Sequence, residues 1–103
     1  MNTKEKILKW ASDKGILDKA TSASQYEKHV EEVGELGRAL IERNRELLID
    51  SIGDVGVTLI ILAKLNGLDF DNCLQMAYNE IADRKGEMIN GVFVKEENQC
   101  LRN

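Results

Sequence analysis

Apolar residues recur at helical spacing along most of this chain, in four segments separated by short polar breaks, and the pattern predicts helices over residues 3–14, 24–43, 45–66 and 69–86. In the first, Ile7, Leu8 and Ala11 share a face with Trp10 at its edge, and Gly15 supplies the stop. Thr21, Ser22 and Ser24 offer N-cap oxygens to the second, whose stripe reads Tyr26, Val30, Val33, Leu36, Gly37 and Leu40. The third begins amphipathic and then carries no charge over residues 55–63; a helix apolar all round is buried all round. Asn66-Gly67 closes it. Asp69 or Asp71 caps the fourth, with Phe70, Leu74, Ala77, Tyr78 and Ile81 as its stripe.

Beyond Lys85-Gly86 the period changes. Asn90-Gly91 lies between the short apolar runs Met88-Ile89 and Val92-Phe93-Val94, which marks a small hairpin or ordered loop, with a polar tail from about residue 95. No proline interrupts any segment. The expectation is an all-α, four-helix bundle forming one domain over residues 1–103 with a short C-terminal hairpin. Three short neighbours cannot cover the charge-free stretch in so small a domain, so a homodimer at least is expected.

Composition narrows the function. A net charge of −4 over 103 residues, with no basic stripe, argues against a nucleic-acid binder. Cys73 and Cys100 lack metal-type spacing, and a reduced, cytoplasmic chain is the simpler account. The first residues do not read as a signal peptide, and no stretch is long enough to span a bilayer.

The chemistry gathers on two acidic segments, Glu31-Glu32-Val33-Gly34-Glu35 and Asp50-Ser51-Ile52-Gly53-Asp54. Residues three or four apart on a helix are neighbours, so Glu32 with Glu35, and Asp50 with Asp54, each project one way. Four such carboxylates brought together repel one another without a cation. Hard oxygen donors suit magnesium, which accepts substrate phosphates as further ligands. Asp54 shares a face with Leu47, Thr58, Ile61 and Leu65, so packing that face draws its charge partly out of water. Gly34, Gly37, Gly53 and Gly56 lie inside the same two helices, where glycine is costly, and are expected to let the two backbones approach at the acids. His29, on the apolar side of its helix, reads as a packed side chain, and Trp10 as a packing residue able to stack on a base.

These two segments, together with Ala77-Tyr78-Asn79-Glu80-Ile81-Ala82-Asp83-Arg84-Lys85-Gly86, resemble the MazG-like family of the all-α nucleoside triphosphate pyrophosphatase superfamily, most closely its small single-domain members. The likeness extends over nearly the whole chain. Glu31, Glu32, Glu35 and Asp54 match the family's E-E-x-x-E and E-x-x-D segments directly. Ser51 stands where the second segment usually has glutamate, and Asp50 is the available substitute. The resemblance implies Mg2+-dependent hydrolysis of a nucleoside triphosphate to the monophosphate and pyrophosphate, with Mn2+ as a substitute ion and a role in nucleotide-pool housekeeping. It implies metal ligation by Glu32, Glu35, Asp50 and Asp54, and handling of the attacking water by Glu31 or Glu35. Asn79 becomes a sugar or phosphate contact, Arg84 and Lys85 become cationic contacts to the phosphate tail, Asp83 is placed to complete the metal shell, and a dimer of dimers becomes the expected assembly. Two rival readings are a helical oligomerisation module with solvated acids, and a nucleotide-binding regulator that keeps the fold without turnover.

Overall fold

A computed structural model describes residues 1–97. Five helices and one antiparallel hairpin are present among them: α1 (Thr3–Asp13), α2 (Ile16–Lys19), α3 (Ser22–Glu42), α4 (Arg45–Leu65), α5 (Phe70–Ile81), β1 (Gly86–Ile89) and β2 (Val92–Lys95). They fall into two compact units, one running from Met1 to Phe70 and the other beginning at Asp71. Cys100 and most of the expected polar tail lie outside the described residues.

Local chemistry sets the helix ends. Gly15 takes φ of 78°, a left-handed conformation that stops α1 where expected, and a single helical turn, α2, follows that the apolar pattern does not show. At the start of α3 the Thr21 hydroxyl accepts from the Ser24 N–H, while Ser24 Oγ accepts from the Thr21 N–H, both at 3.0 Å. This reciprocal capping starts the helix two residues before the expected position. Arg43, left-handed at φ 54°, ends α3, and the Asn44 side chain at once caps α4 by accepting from the Leu47 N–H. So tight a link makes α3 and α4 an antiparallel hairpin. Its open end is tied where Ser22 Oγ donates to Asn66 Oδ1 at 3.1 Å. Gly67, at φ 70°, terminates α4 as its sequence implies. An ion pair between Lys4 and Asp69 ties the start of α1 to the following loop.

The face by which α3 meets α4 differs from the expected one. Gln25 and Ala39 are buried, and His29, Glu32 and Leu36 are partly buried between them, at steps of four, three, four and three. The expected stripe lies one residue further on and is largely open: Tyr26, Val30, Val33 and Leu40 all remain exposed. One residue is a rotation of about 100°. On α4 the seam runs through Leu47, Ser51, Asp54, Thr58, Ile61 and Leu65, which is the face the sequence assigns to Asp54. Over residues 55–63 only Thr58, Ile61 and Ala63 are fully buried, so this chain alone does not enclose the charge-free stretch. The four internal glycines do not bring the helices together either. A Cβ at Gly34, Gly37, Gly53 or Gly56 would meet no heavy atom within 4 Å. Buried Ala39 and Ser51 supply small volume on the seam itself.

In the second unit α5 ends at Ile81, not near residue 86. The reason is competition from the hairpin: Gly86 pairs with Lys95, and the Glu96 N–H donates to the Lys85 carbonyl at 2.9 Å, so strand pairing claims residues that helix periodicity assigned to α5. A Cβ on Gly86 would collide with the Val94 carbonyl and the Phe93 ring, which restricts this position to glycine. Asn90 and Gly91, at φ 51° and 81°, form the two-residue turn their sequence announces. No residue of α5 is buried, and Leu74, Met76, Tyr78 and Ile81 are exposed.

Candidate functional site

The geometry of the α3–α4 hairpin sorts its side chains into two opposite sides. Because the helices are antiparallel, stepping back one residue from the seam rotates both toward the same side, and stepping forward rotates both toward the other. The backward step carries Ser24, Lys28, Glu31, Glu35 and Arg38 on α3 and Glu46, Asp50, Gly53, Val57, Ile60 and Lys64 on α4. The forward step carries Tyr26, Val30, Val33, Gly37 and Leu40, and on α4 Leu48, Ile52, Val55, Leu59 and Leu62. One side is therefore acidic and the other apolar, with Glu32 and Asp54 between them on the seam.

Glu32 is the most enclosed of these glutamates, its side chain only 14% exposed. Its carboxylate lies 3.2 Å from Lys28 Nζ, which also approaches Glu31 at 3.5 Å. The Lys28 ammonium is held above its ordinary 10.5, chiefly by the hydrogen bond to Glu32 and then by the charge of Glu31. Across the seam, burial pushes the Asp54 carboxyl above its ordinary 3.8. The charges of Asp50 and Glu32 and a hydrogen bond with Asp50 push the same way, while Lys28 opposes them. Asp54 thus feels the charges of both Asp50 on its own helix and Glu32 across the seam. Glu31 and Glu35 point away toward cations: Glu31 is 67% exposed, and Glu35 lies 3.7 Å from Arg38 Nη1. Among the described residues, no three His, Cys, Asp or Glu side chains converge closely enough to hold an ion as they stand. The donors are nonetheless of the hard, charged type that magnesium takes, and their repulsion at Asp54 is what a bound cation would relieve.

Ser51 has a structural reason to be small. It is 1% exposed on the seam, so a carboxylate there would be buried between the helices, whereas Asp50 opens onto the acidic side.

Next to Asp54 a cleft of about 360 Å³ lies between α1 and α4, lined by Thr3, Lys6, Ile7, Trp10, Asp54 and Val57. Its walls are mostly apolar, and Trp10 is half exposed at its edge. Hydropathy alone places Trp10 at the margin of α1 but does not reveal that this margin adjoins Asp54.

A buried polar cluster holds the seam beside the acids. Gln25 Nε2 donates to the Thr58 carbonyl at 3.2 Å, Thr58 Oγ1 donates to the Val55 carbonyl at 2.7 Å, and His29 Nδ1 lies 2.9 Å from Thr58 Oγ1. A hydroxyl has a single proton, and that of Thr58 is committed to Val55. His29 Nδ1 is therefore the donor to Thr58 Oγ1. Thr58→Val removes the acceptor and strands a partly buried N–H. It is expected to destabilise the fold by about 1–3 kcal/mol in urea unfolding, and a neutral result would contradict this role.

The remaining sequence-predicted residues belong to the second unit. Asp83, Arg84 and Lys85 lie beyond the end of α5, not on it, and line an open cleft of about 670 Å³ with Glu80, Lys95, Glu96 and Glu97. Arg84 closes the turn that follows α5, its N–H donating to the Ile81 carbonyl at 3.0 Å. Asn79 is on α5 and accepts from Gln75 Nε2 at 2.9 Å. Cys73 is a free, exposed thiol. No helix among the described residues is long and apolar enough to cross a membrane.

The chain is 38% identical over 63 residues to an uncharacterized 18.2 kDa protein in the rep-hol intergenic region of Haemophilus phage HP1 (strain HP1c1). The similarity covers 61% of this chain and 39% of the phage protein. No protein-family profile and no solved structure matches the chain.

Proposed function

We propose that the acidic side of the α3–α4 hairpin is the magnesium site of a nucleoside triphosphate pyrophosphohydrolase of the MazG-like kind. The observation that carries this reading is the placement of Glu32 and Asp54 on the packed seam, with burial and neighbouring carboxylates raising the Asp54 pKa. A chain that leaves Val33 and Leu40 exposed while drawing two acids into its seam forgoes stability for chemistry.

In this reading Glu32, Asp50 and Asp54 would hold the ion, and Glu35 would join them by turning from Arg38. Bound magnesium supplies charge neutralisation to the phosphates during an in-line displacement. Glu31 or Glu35 orients the attacking water and takes its proton. The water oxygen bonds to phosphorus as the anhydride between the α and β phosphates breaks, giving a nucleoside monophosphate and pyrophosphate. The cleft beside Asp54 takes the base against Trp10, with Thr3 and Lys6 at its polar edge. Ser51 keeps the seam closed while Asp50 supplies the carboxylate that the family pattern places one residue later.

Base–aromatic stacking is worth about 1–3 kcal/mol, so Trp10→Ala is expected to raise KM for the preferred nucleotide by about five- to a hundredfold. The change in kcat should be small. A panel of ribo- and deoxynucleoside triphosphates, assayed for pyrophosphate release with magnesium and with EDTA, tests both points. Turnover of none of them would refute the reading, and an unchanged KM would remove the base from this cleft.

A further inference from the structure

We propose that Lys6 makes the cleft between α1 and α4 select nucleobases by the group on the edge far from the sugar, taking those with a carbonyl there and rejecting those with an amino group. The inference deepens the function proposed above and rests on it, because that reading lays the base against Trp10 and leads the sugar and phosphates toward the acids.

The cleft has two unlike walls. Helix α4 contributes Asp54 and Val57, and α1 contributes Thr3, Lys6, Ile7 and Trp10. Lys6 and Trp10 stand four residues apart, so the lysine stem and the indole ring are neighbours on one face of α1. Helix α1 carries three lysines, and two of them are engaged: Lys4 pairs with Asp69, and Lys9 pairs with Asp13 at 2.7 Å. Among the described residues no carboxylate pairs with Lys6, the one of the three that lines the cleft. Its ammonium is available to a ligand.

A lysine ammonium has three N–H donors and no acceptor, so it reads the edge of a base by hydrogen-bonding sense. Uracil, thymine and guanine carry a carbonyl oxygen on the edge away from the sugar, where cytosine and adenine carry an amino group. The carbonyl accepts from Lys6. The amino group sets donor against donor and leaves the ammonium without a partner beside Ile7, Trp10 and Val57. Turning the base over does not relieve this, because its sugar leaves on the Asp54 side and its far edge meets the α1 wall. The Thr3 hydroxyl both donates and accepts, so it tolerates either group and the choice falls to Lys6.

The test is the ratio of kcat/KM values within pairs of nucleoside triphosphates that differ by a carbonyl in place of an amino group, UTP against CTP and ITP against ATP, each as ribo- and deoxynucleotide with magnesium. The native protein should favour the carbonyl member of each pair at least about tenfold, the scale of one hydrogen bond to a charged group. Lys6→Met keeps the apolar stem, removes the donors and should bring both ratios close to one. Lys6→Glu replaces donors with acceptors and should reverse them. A general attraction of Lys6 for phosphate would change both members of a pair alike and leave the ratios where they were. Native ratios near one, or ratios that survive Lys6→Met, would overturn the proposal while leaving the pyrophosphohydrolase reading standing. Turnover of none of these nucleotides would overturn that reading and this proposal with it.

Discussion

Asp54→Asn is expected to lower magnesium-dependent turnover by at least about a hundredfold, because metal-assisted charge stabilisation contributes several kcal/mol and the substitution removes a charged ligand at nearly constant size. Its effect on the metal-free fold should have the opposite sense. Burial raises the Asp54 pKa above 3.8, so the folded state holds that proton more tightly than the unfolded chain does. Acid therefore favours the fold at this residue. The contribution is present below 3.8 and is lost as pH rises through the folded value. Asparagine escapes that loss. In EDTA, the melting temperature of Asp54→Asn relative to the native protein should rise as pH increases from about 4 through the folded value of Asp54 and then level off. A structural acid paired in the core would behave otherwise, its loss costing about 3–5 kcal/mol and leaving a buried partner alone. A variant that unfolds readily at neutral pH, or one that keeps full activity, would contradict the assignment.

Self-association gives the second large effect. The forward side of the hairpin is apolar along both helices, from Tyr26 through Leu40 and from Leu48 through Leu62, and Val30, Val33, Leu40 and Ile52 remain exposed. Soluble monomers rarely leave large contiguous apolar patches open to water. A second copy of the chain, laid on this side, is the expected cover. The native protein should then sediment as a dimer or larger at micromolar concentration, well above the 11.6 kDa of one chain. Val33→Glu combined with Ile52→Glu places charge on both helices of that side, and the double variant should sediment at or near monomer mass. Native protein that sediments as a monomer would contradict this use of the surface.

The exposed stripe also explains what could and could not be read beforehand. Periodicity locates α3 because two adjacent stripes, one through Gln25, His29, Glu32, Leu36 and Ala39 and one displaced by a single residue, both have helical spacing. Hydropathy favours the second, which contains Val30, Val33 and Leu40, yet the chain closes on the first. Apolar character cannot tell a face that packs within the chain from one that packs elsewhere. A signal for the true seam was present: folding α3 back about Arg43–Asn44 puts residues equidistant from the turn opposite each other, His29 near Thr58 and Glu32 near Asp54. The α4 face holding Asp54 was legible because Leu47, Ile61 and Leu65 surround it with apolar residues. The glycines misled because their cost in a helix implies a packing reason, but not which neighbour supplies it.

At the other end, the Asn90-Gly91 turn was readable because type I′ geometry demands φ above zero at both positions. What its strands would take from α5 was not. Gly86 must be glycine to pass Val94 and Phe93, and that long-range contact ends the helical run four residues before Lys85. Asp83, Arg84 and Lys85 therefore sit on a connecting segment beside Glu96 and Glu97. Helical spacing cannot describe them.

The central claim is that carboxylates on the acidic side bind magnesium and direct cleavage between the α and β phosphates. The most direct test is phosphorus NMR of the products formed from a nucleoside triphosphate by native protein in magnesium, with an EDTA control and Asp54→Asn alongside. The expected spectrum shows nucleoside monophosphate and pyrophosphate in equal amounts, formed by the native protein only when magnesium is present. Nucleoside diphosphate with orthophosphate, or equal product in EDTA, would contradict it.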